Sequence, residues 1–150
     1  MGSYEEYEKK VKENEAENEK ALALFEEDLK AAGLGEKTIR NHLNNVEFFL
    51  NTYLQRADAL TMREGTGQMS DYFGWFFIRK CMWSTPASIK TTAASLKKFY
   101  KCMKEHGLVD AEEYEELADD IKYGMEGWQD ECRRYNNPDE DDPFSIDFDF

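Results

Sequence analysis

Apolar residues in this chain recur at intervals of three and four, in five successive stretches between Leu22 and Cys132, and within that span nowhere alternate at the period of two that a half-buried strand needs. The stretches run through Leu22, Phe25 and Leu29; Ile39, Leu43, Val46, Phe49, Leu50 and Tyr53; Met69, Tyr72, Phe73, Phe76 and Phe77; Ile89, Ala93, Leu96, Phe99, Tyr100 and Met103; and Tyr114, Leu117, Ile121, Met125, Trp128 and Cys132. That period confines the chain to helices, and 150 residues are enough for one domain with a real core.

The punctuation between stretches is equally helical. Gly33-Leu34-Gly35 ends the first helix, since Gly suits the left-handed position after a helix. The second is expected over 37–55, followed by a loop to about Thr66 whose end Gly65 and Gly67 make flexible. The third covers 68–82, with Gly74 allowing a close helix crossing. Ser84-Thr85-Pro86 opens the fourth, with a hydroxyl cap followed by Pro in the first turn, and it runs to about Glu105. Asp110 caps the fifth, Glu113 completes a capping box, Gly124 and Gly127 weaken its middle, and Asn136-Asn137-Pro138 ends it. The expectation is a compact all-α domain: a four-helix bundle with an additional C-terminal helix and polar termini. Residues 1–20 form a polar helical lead-in, exposed or frayed, with little to bury beyond Tyr7 and Val11. Residues 21–106 form the core domain, 107–135 the acidic C-terminal helix, and 136–150 an acidic tail, disordered when free.

Charge is distributed unevenly. The chain is −13 overall, yet residues 61–110 carry net +4 and residues 111–150 net −12. Between Asp71 and Glu105 lie 33 residues without a carboxylate, among them Arg79, Lys80, Lys90, Lys97, Lys98, Lys101 and Lys104. On a helix, Lys90, Lys97, Lys101 and Lys104 fall within roughly 60° of arc. Such a stripe is either a solvated face or a surface for an anion such as a nucleic-acid backbone. The far field of the chain repels phosphate. A local patch still acts at close range, because the screening length is about 8 Å at physiological salt.

Two segments also resemble a known family. One is Gly33-Leu34-Gly35-Glu36-Lys37-Thr38-Ile39-Arg40-Asn41-His42-Leu43, which continues through Asn44-Asn45-Val46-Glu47-Phe48-Phe49-Leu50. The other is Ser84-Thr85-Pro86-Ala87-Ser88-Ile89-Lys90-Thr91-Thr92, which continues through Ala93-Ala94-Ser95-Leu96-Lys97-Lys98-Phe99-Tyr100. In their order and separation they resemble the SAM-like core-binding domain of phage integrases and tyrosine recombinases, over about residues 21–106. The resemblance implies a four-helix unit that packs against duplex DNA. It would place Lys37, Thr38, Arg40, Asn41, Asn44 and Asn45 on the DNA side of the second helix, and Ser84, Ser88, Lys90, Thr91 and Lys97 on that of the fourth. Lys90, Lys97, Lys101 and Arg40 would supply phosphate contacts. Lys and Arg neutralise phosphate, and Ser, Thr and Asn position the backbone or read a base edge. Recombinase chemistry further needs an Arg–His–Arg set and a nucleophilic tyrosine. None of the eight tyrosines has the basic surroundings for that role, so the expected module is not an enzyme.

Other chemistry finds little support. His42 and His106, the only imidazoles, stand 64 residues apart, and neither has a paired Cys or His at ligand spacing. Cys81, Cys102 and Cys132 make no zinc pattern and no disulfide framework, which fits a reducing cytoplasmic setting. No cofactor, metal, membrane or small-molecule substrate is expected. Asp139-Glu140-Asp141-Asp142 lacks the Gly and terminal Glu of a calcium loop. The functional expectation is a non-catalytic module that binds duplex DNA weakly and salt-dependently, accessory or regulatory in recombination. The alternative is a protein-interaction module whose tail at 136–150, with Phe144, Ile146, Phe148 and Phe150 among its acids, docks a protein partner or mimics nucleic acid.

Overall fold

A computed structural model describes residues 2–137, and among them every regular element is helical. In chain order these are α1 (Gly2–Ala31), α2 (Glu36–Glu47) running into a π-helical segment (Phe48–Tyr53), a 3₁₀ turn (Glu64–Gly67), α3 (Met69–Asp71), a second π segment (Tyr72–Phe76), α4 (Phe77–Lys80), α5 (Pro86–Glu105) and α6 (Ala111–Asn136). The stretch from α3 to α4 is one continuous rod, so the five expected helices are present. The tail expected from 136 onward lies, after Asn137, outside the described residues.

The helix ends follow from local chemistry. After α1 the chain turns at Gly33, φ +83°, with the Gly33 N–H on the Lys30 carbonyl (2.9 Å) and the Leu34 N–H on the Leu29 carbonyl (3.2 Å). Gly107, φ +77°, repeats the arrangement after α5, with Leu108 bonded to Met103 at 2.8 Å. Both are left-handed caps that only Gly adopts without strain. Thr85 caps α5: its hydroxyl accepts from the Ser88 N–H (3.0 Å), and the Ser88 hydroxyl accepts from the Thr85 N–H (2.7 Å). At α6 the Glu113 carboxylate accepts from the Asp110 N–H at 2.8 Å.

α1 departs from the expectation. The polar lead-in and the first core helix form one 30-residue helix. Its first half is held by polar anchors rather than apolar ones. Asn14 and Asn18 are buried. Asn14 Nδ2 donates to Gln55 Oε1 (3.0 Å) and to the carbonyl of Ala59 (2.9 Å). Asn18 Nδ2 donates to Asn51 Oδ1 (2.9 Å) and, more loosely, to the Leu50 carbonyl (3.4 Å). The Tyr7 hydroxyl donates to the Gln55 carbonyl. These groups complete the π segment. Side chains supply partners to main-chain carbonyls of the segment and of the loop that follows it, including Gln55 Nε2 on Leu50 O and on Leu60 O, both at 2.9 Å.

The core is aromatic. Phe49, Tyr53, Tyr72 and Phe73 are fully buried and meet ring to ring, Phe49 on Tyr72 at 4.8 Å and Tyr53 on Tyr72 at 4.7 Å between centroids. Each such side chain contributes about 1.5–3 kcal/mol by leaving water. Trp128 of α6 stacks on Phe73 at 5.3 Å. It has room because Gly74 and Gly124 lie beneath it: a Cβ at Gly124 would stand 2.3 Å from the indole, and one at Gly74 would stand 3.2 Å away. Gly74 thus serves the close approach expected of it. Gly124 shapes a seat for the indole instead of merely weakening the helix. Gly65 is likewise no flexible hinge. It is buried, and a Cβ there would stand 2.6 Å from the Tyr100 hydroxyl. No helix among the described residues is long and apolar enough to cross a membrane.

Candidate nucleic-acid interface

α2 and α5 pack side by side and run in opposite directions. His42 and Asn45 meet Ser95, while further along α2 Phe48 meets Trp83, just before α5 begins, at 5.5 Å between ring centroids. The seam is polar at its middle. Ser95 Oγ lies 2.8 Å from His42 Nδ1 and accepts from Asn45 Nδ2 at 3.0 Å. Burial, and to a lesser degree the nearby Lys98 charge, lowers the His42 pKa, so the ring is neutral at pH 7. Next to the seam a cavity of about 230 Å³ is lined by Asn44, Asn45, Phe48, Trp83 and Thr92, among others.

Above this seam α5 presents its outer face. Lys90, Thr91, Lys97, Lys98 and Lys101 are exposed, and so are Lys37, Thr38 and Asn41 on α2. Among the described residues, none of these lysines has a carboxylate within 4 Å. Several cations elsewhere are engaged. Arg63 holds Asp110 at 2.6 Å and Glu113 at 2.9 Å. Arg56 bonds Asp71 at 3.1 Å and lies 4.1 Å over the Tyr53 ring. Lys104, the last member of the expected stripe, lies 4.7 Å over the Tyr114 ring of α6. Lys97, Lys101 and Lys104 share one row at helical spacing, so that row forms the α6-side shoulder of α5. Lys98 acts on His42 and lies on the opposite shoulder, toward α2. The lysines therefore flank the crest of α5 on both sides.

The sequence-derived set divides on this geometry. Lys37, Thr38, Asn41, Lys90, Thr91, Lys97 and Lys101 are exposed on or beside the two-helix surface. The Thr91 hydroxyl is already donated back to the Ala87 carbonyl at 3.0 Å. Asn45 is partly buried and donates to Ser95. Arg40 turns to the other side of α2. With Asn44 it lines a groove of about 740 Å³ between α1 and α2, beside Glu15, Glu19, Glu26, Glu36 and Glu47. That groove repels phosphate, so Arg40 does not join the lysines. Ser84 is buried and its hydroxyl donates to the Ile78 carbonyl at 3.2 Å, which leaves it nothing to offer a ligand. The Ser88 hydroxyl is committed to the helix cap.

Two features escaped the sequence reading of the interface. Lys98 is the lysine nearest the α2 side, and its spacing of seven from Thr91 was the available signal. The second is an aromatic and basic corner where α4 ends: Trp75 is 45% exposed, Met82 100% and Trp83 57%, with Lys80 lying 5.6 Å over the Trp75 ring. Of these residues, Trp83 also lines the small cavity. Comparison with protein-family models, with curated proteins and with solved structures returned no match.

Proposed function

We propose that this chain is a non-catalytic DNA-binding module, resembling the core-binding domain of tyrosine recombinases, with α5 as the element laid along the phosphate backbone. The observation that carries the reading is the α5 outer face. Lys90, Lys97, Lys98 and Lys101 are exposed and lack a carboxylate within 4 Å among the described residues, in a chain of net charge −13. In so acidic a protein, four neighbouring cations without an ionic partner among the described residues favour an external anion in that place. Thr38, Asn41 and Thr91 beside them offer neutral groups that fix register on a duplex. The test is fluorescence anisotropy of a labelled duplex at low salt. Saturable binding, weakened when the four lysines become alanine, is expected. Absence of binding at low salt, with or without residues 138–150, ends the reading.

A second reading, a protein-docking module, is favoured by the exposed Trp75, Met82 and Trp83 corner. Large apolar side chains left exposed near one another in sequence offer a partner apolar surface to cover. It predicts that Met82→Ser with Trp83→Ser abolishes a protein complex and leaves duplex affinity unchanged. Loss of duplex binding in that variant would instead assign the corner to the DNA surface, where apolar side chains wedge between base steps.

A further inference from the structure

Far from the α2–α5 seam, three chemically different donors converge where α1 and α5 both end. Asp28 comes from the last turn of α1, and Cys102 and His106 from the end of α5. Cys102 Sγ donates to Asp28 Oδ2 at 2.8 Å, and His106 Nε2 lies 3.0 Å from the same oxygen. All three donor atoms lie within 4.8 Å of one another. The spacing of four between Cys102 and His106 puts them on one helix face, a turn apart. Among the described residues, the other cysteines and the other histidine have no such company. His42 faces Ser95, Cys132 faces Asn136, and Cys81 is buried in the apolar core.

We propose that Asp28 Oδ2, Cys102 Sγ and His106 Nε2 form a site for a divalent cation of the zinc class, clasping the end of α1 to the end of α5. A thiolate, an imidazole and a carboxylate together suit zinc or cobalt, whereas magnesium and calcium take all-oxygen shells. Tetrahedral bonds of about 2.3 Å to sulfur and about 2.0–2.2 Å to nitrogen and oxygen place neighbouring donors about 3.3–3.6 Å apart. The two contacts to Asp28, 2.8 and 3.0 Å, are shorter because hydrogen bonds, not a metal, join the groups. Opening them requires only a small swing of the Asp28 carboxylate, which is 41% exposed. His106 is similarly open at 36%, while Cys102 is buried behind them, so an ion enters from solvent and a water completes the fourth position. On binding, the Cys102 S–H bond breaks and its proton passes to solvent. The sulfur lone pair forms the bond to the metal, and the imidazole takes the tautomer protonated on Nδ1, its Nε2 proton exchanging through solvent, so that the freed Nε2 lone pair of His106 forms the second bond. His106 also caps α5, whose terminal carbonyls make that end attractive to a cation. The sequence hid the site because Asp28 lies 74 residues from Cys102.

Cobalt(II) titrated into the reduced full chain tests the proposal. The expected result is a near-ultraviolet thiolate-to-cobalt band and visible tetrahedral bands that saturate at one equivalent, bleach with zinc and ignore magnesium. C102S should abolish the thiolate band, and H106A and D28N should weaken cobalt affinity about tenfold or more. The double variant C81S/C132S should keep the full spectrum, and helical circular dichroism checks that each variant is folded. No thiolate band at one equivalent, or a band that survives in folded C102S, overturns the site. Neither result bears on duplex binding, which involves other residues.

Discussion

The polar groups around the α1–π-segment junction and those on the outer face of α5 contrast sharply. At the junction, Asn14, Asn18, Gln55 and Arg56 each bond a named partner, most often a main-chain carbonyl of the π segment or of the loop after it. On α5, Lys90, Lys97, Lys98 and Lys101 have no ionic partner among the described residues. Polar groups of the first kind are part of the fold, and removing one strands its partner. Those of the second kind are available to something outside it. Substitutions should therefore separate the two regions by their readout, stability for one and binding for the other.

A stability effect as large as any here is expected from Asn14→Ala. It removes donors from Gln55 Oε1 and Ala59 O and should cost about 1–3 kcal/mol in chemical denaturation. A loss below half a kcal/mol would erase the contrast on the junction side. Occupied and open space in α6 give a parallel test. Gly124→Ala forces a methyl into the Trp128 indole, 2.3 Å away, and should cost about 1–3 kcal/mol. Gly127→Ala, three residues on, meets nothing within 4 Å and should instead stabilise by about 0.4–1 kcal/mol. Equal effects at the two glycines would mean that the Trp128 seat is wrong. Lys98→Ala should leave stability within about 0.5 kcal/mol of the parent while weakening duplex binding.

The smallest expected effect lies at the boundary between the regions. His42 has a lowered pKa, chiefly from burial. The unfolded chain, with an imidazole pKa near about 6.5, therefore binds a proton at higher pH than the folded one. His42 thus lets stability fall as pH drops through about 6.5, and His42→Gln should flatten that part of the pH–stability curve. An unchanged curve would show that the seam leaves His42 accessible to protons when folded.

Much of the fold was legible because it rests on local signals. The Gly33 and Gly107 caps, the Thr85-Pro86 start and the Asp110–Glu113 box each act within a few residues. The apolar faces followed from the period alone. What the sequence concealed depends on distant partners. A buried Asn14 looks like a solvated asparagine until Gln55 and Ala59 are beside it. Ser84 looks like a free hydroxyl before a helix until its burial against Ile78 is known. Arg40 looks like a companion to the lysines, yet its row on α2 turns it into a glutamate-lined groove. The stripe itself was visible in outline. What the sequence lacked was the departure of Lys104 toward Tyr114 and the place of Lys98 on the α2 shoulder.

The salt dependence of duplex affinity tests the central claim most directly. If the α5 lysines neutralise about four phosphates, log affinity against log salt should fall with a slope near −3.6, and alanine at Lys90, Lys97, Lys98 and Lys101 should bring that slope close to zero without lowering thermal stability. An unchanged slope in the folded quadruple variant would contradict the account, because the phosphates would then be held by some other surface.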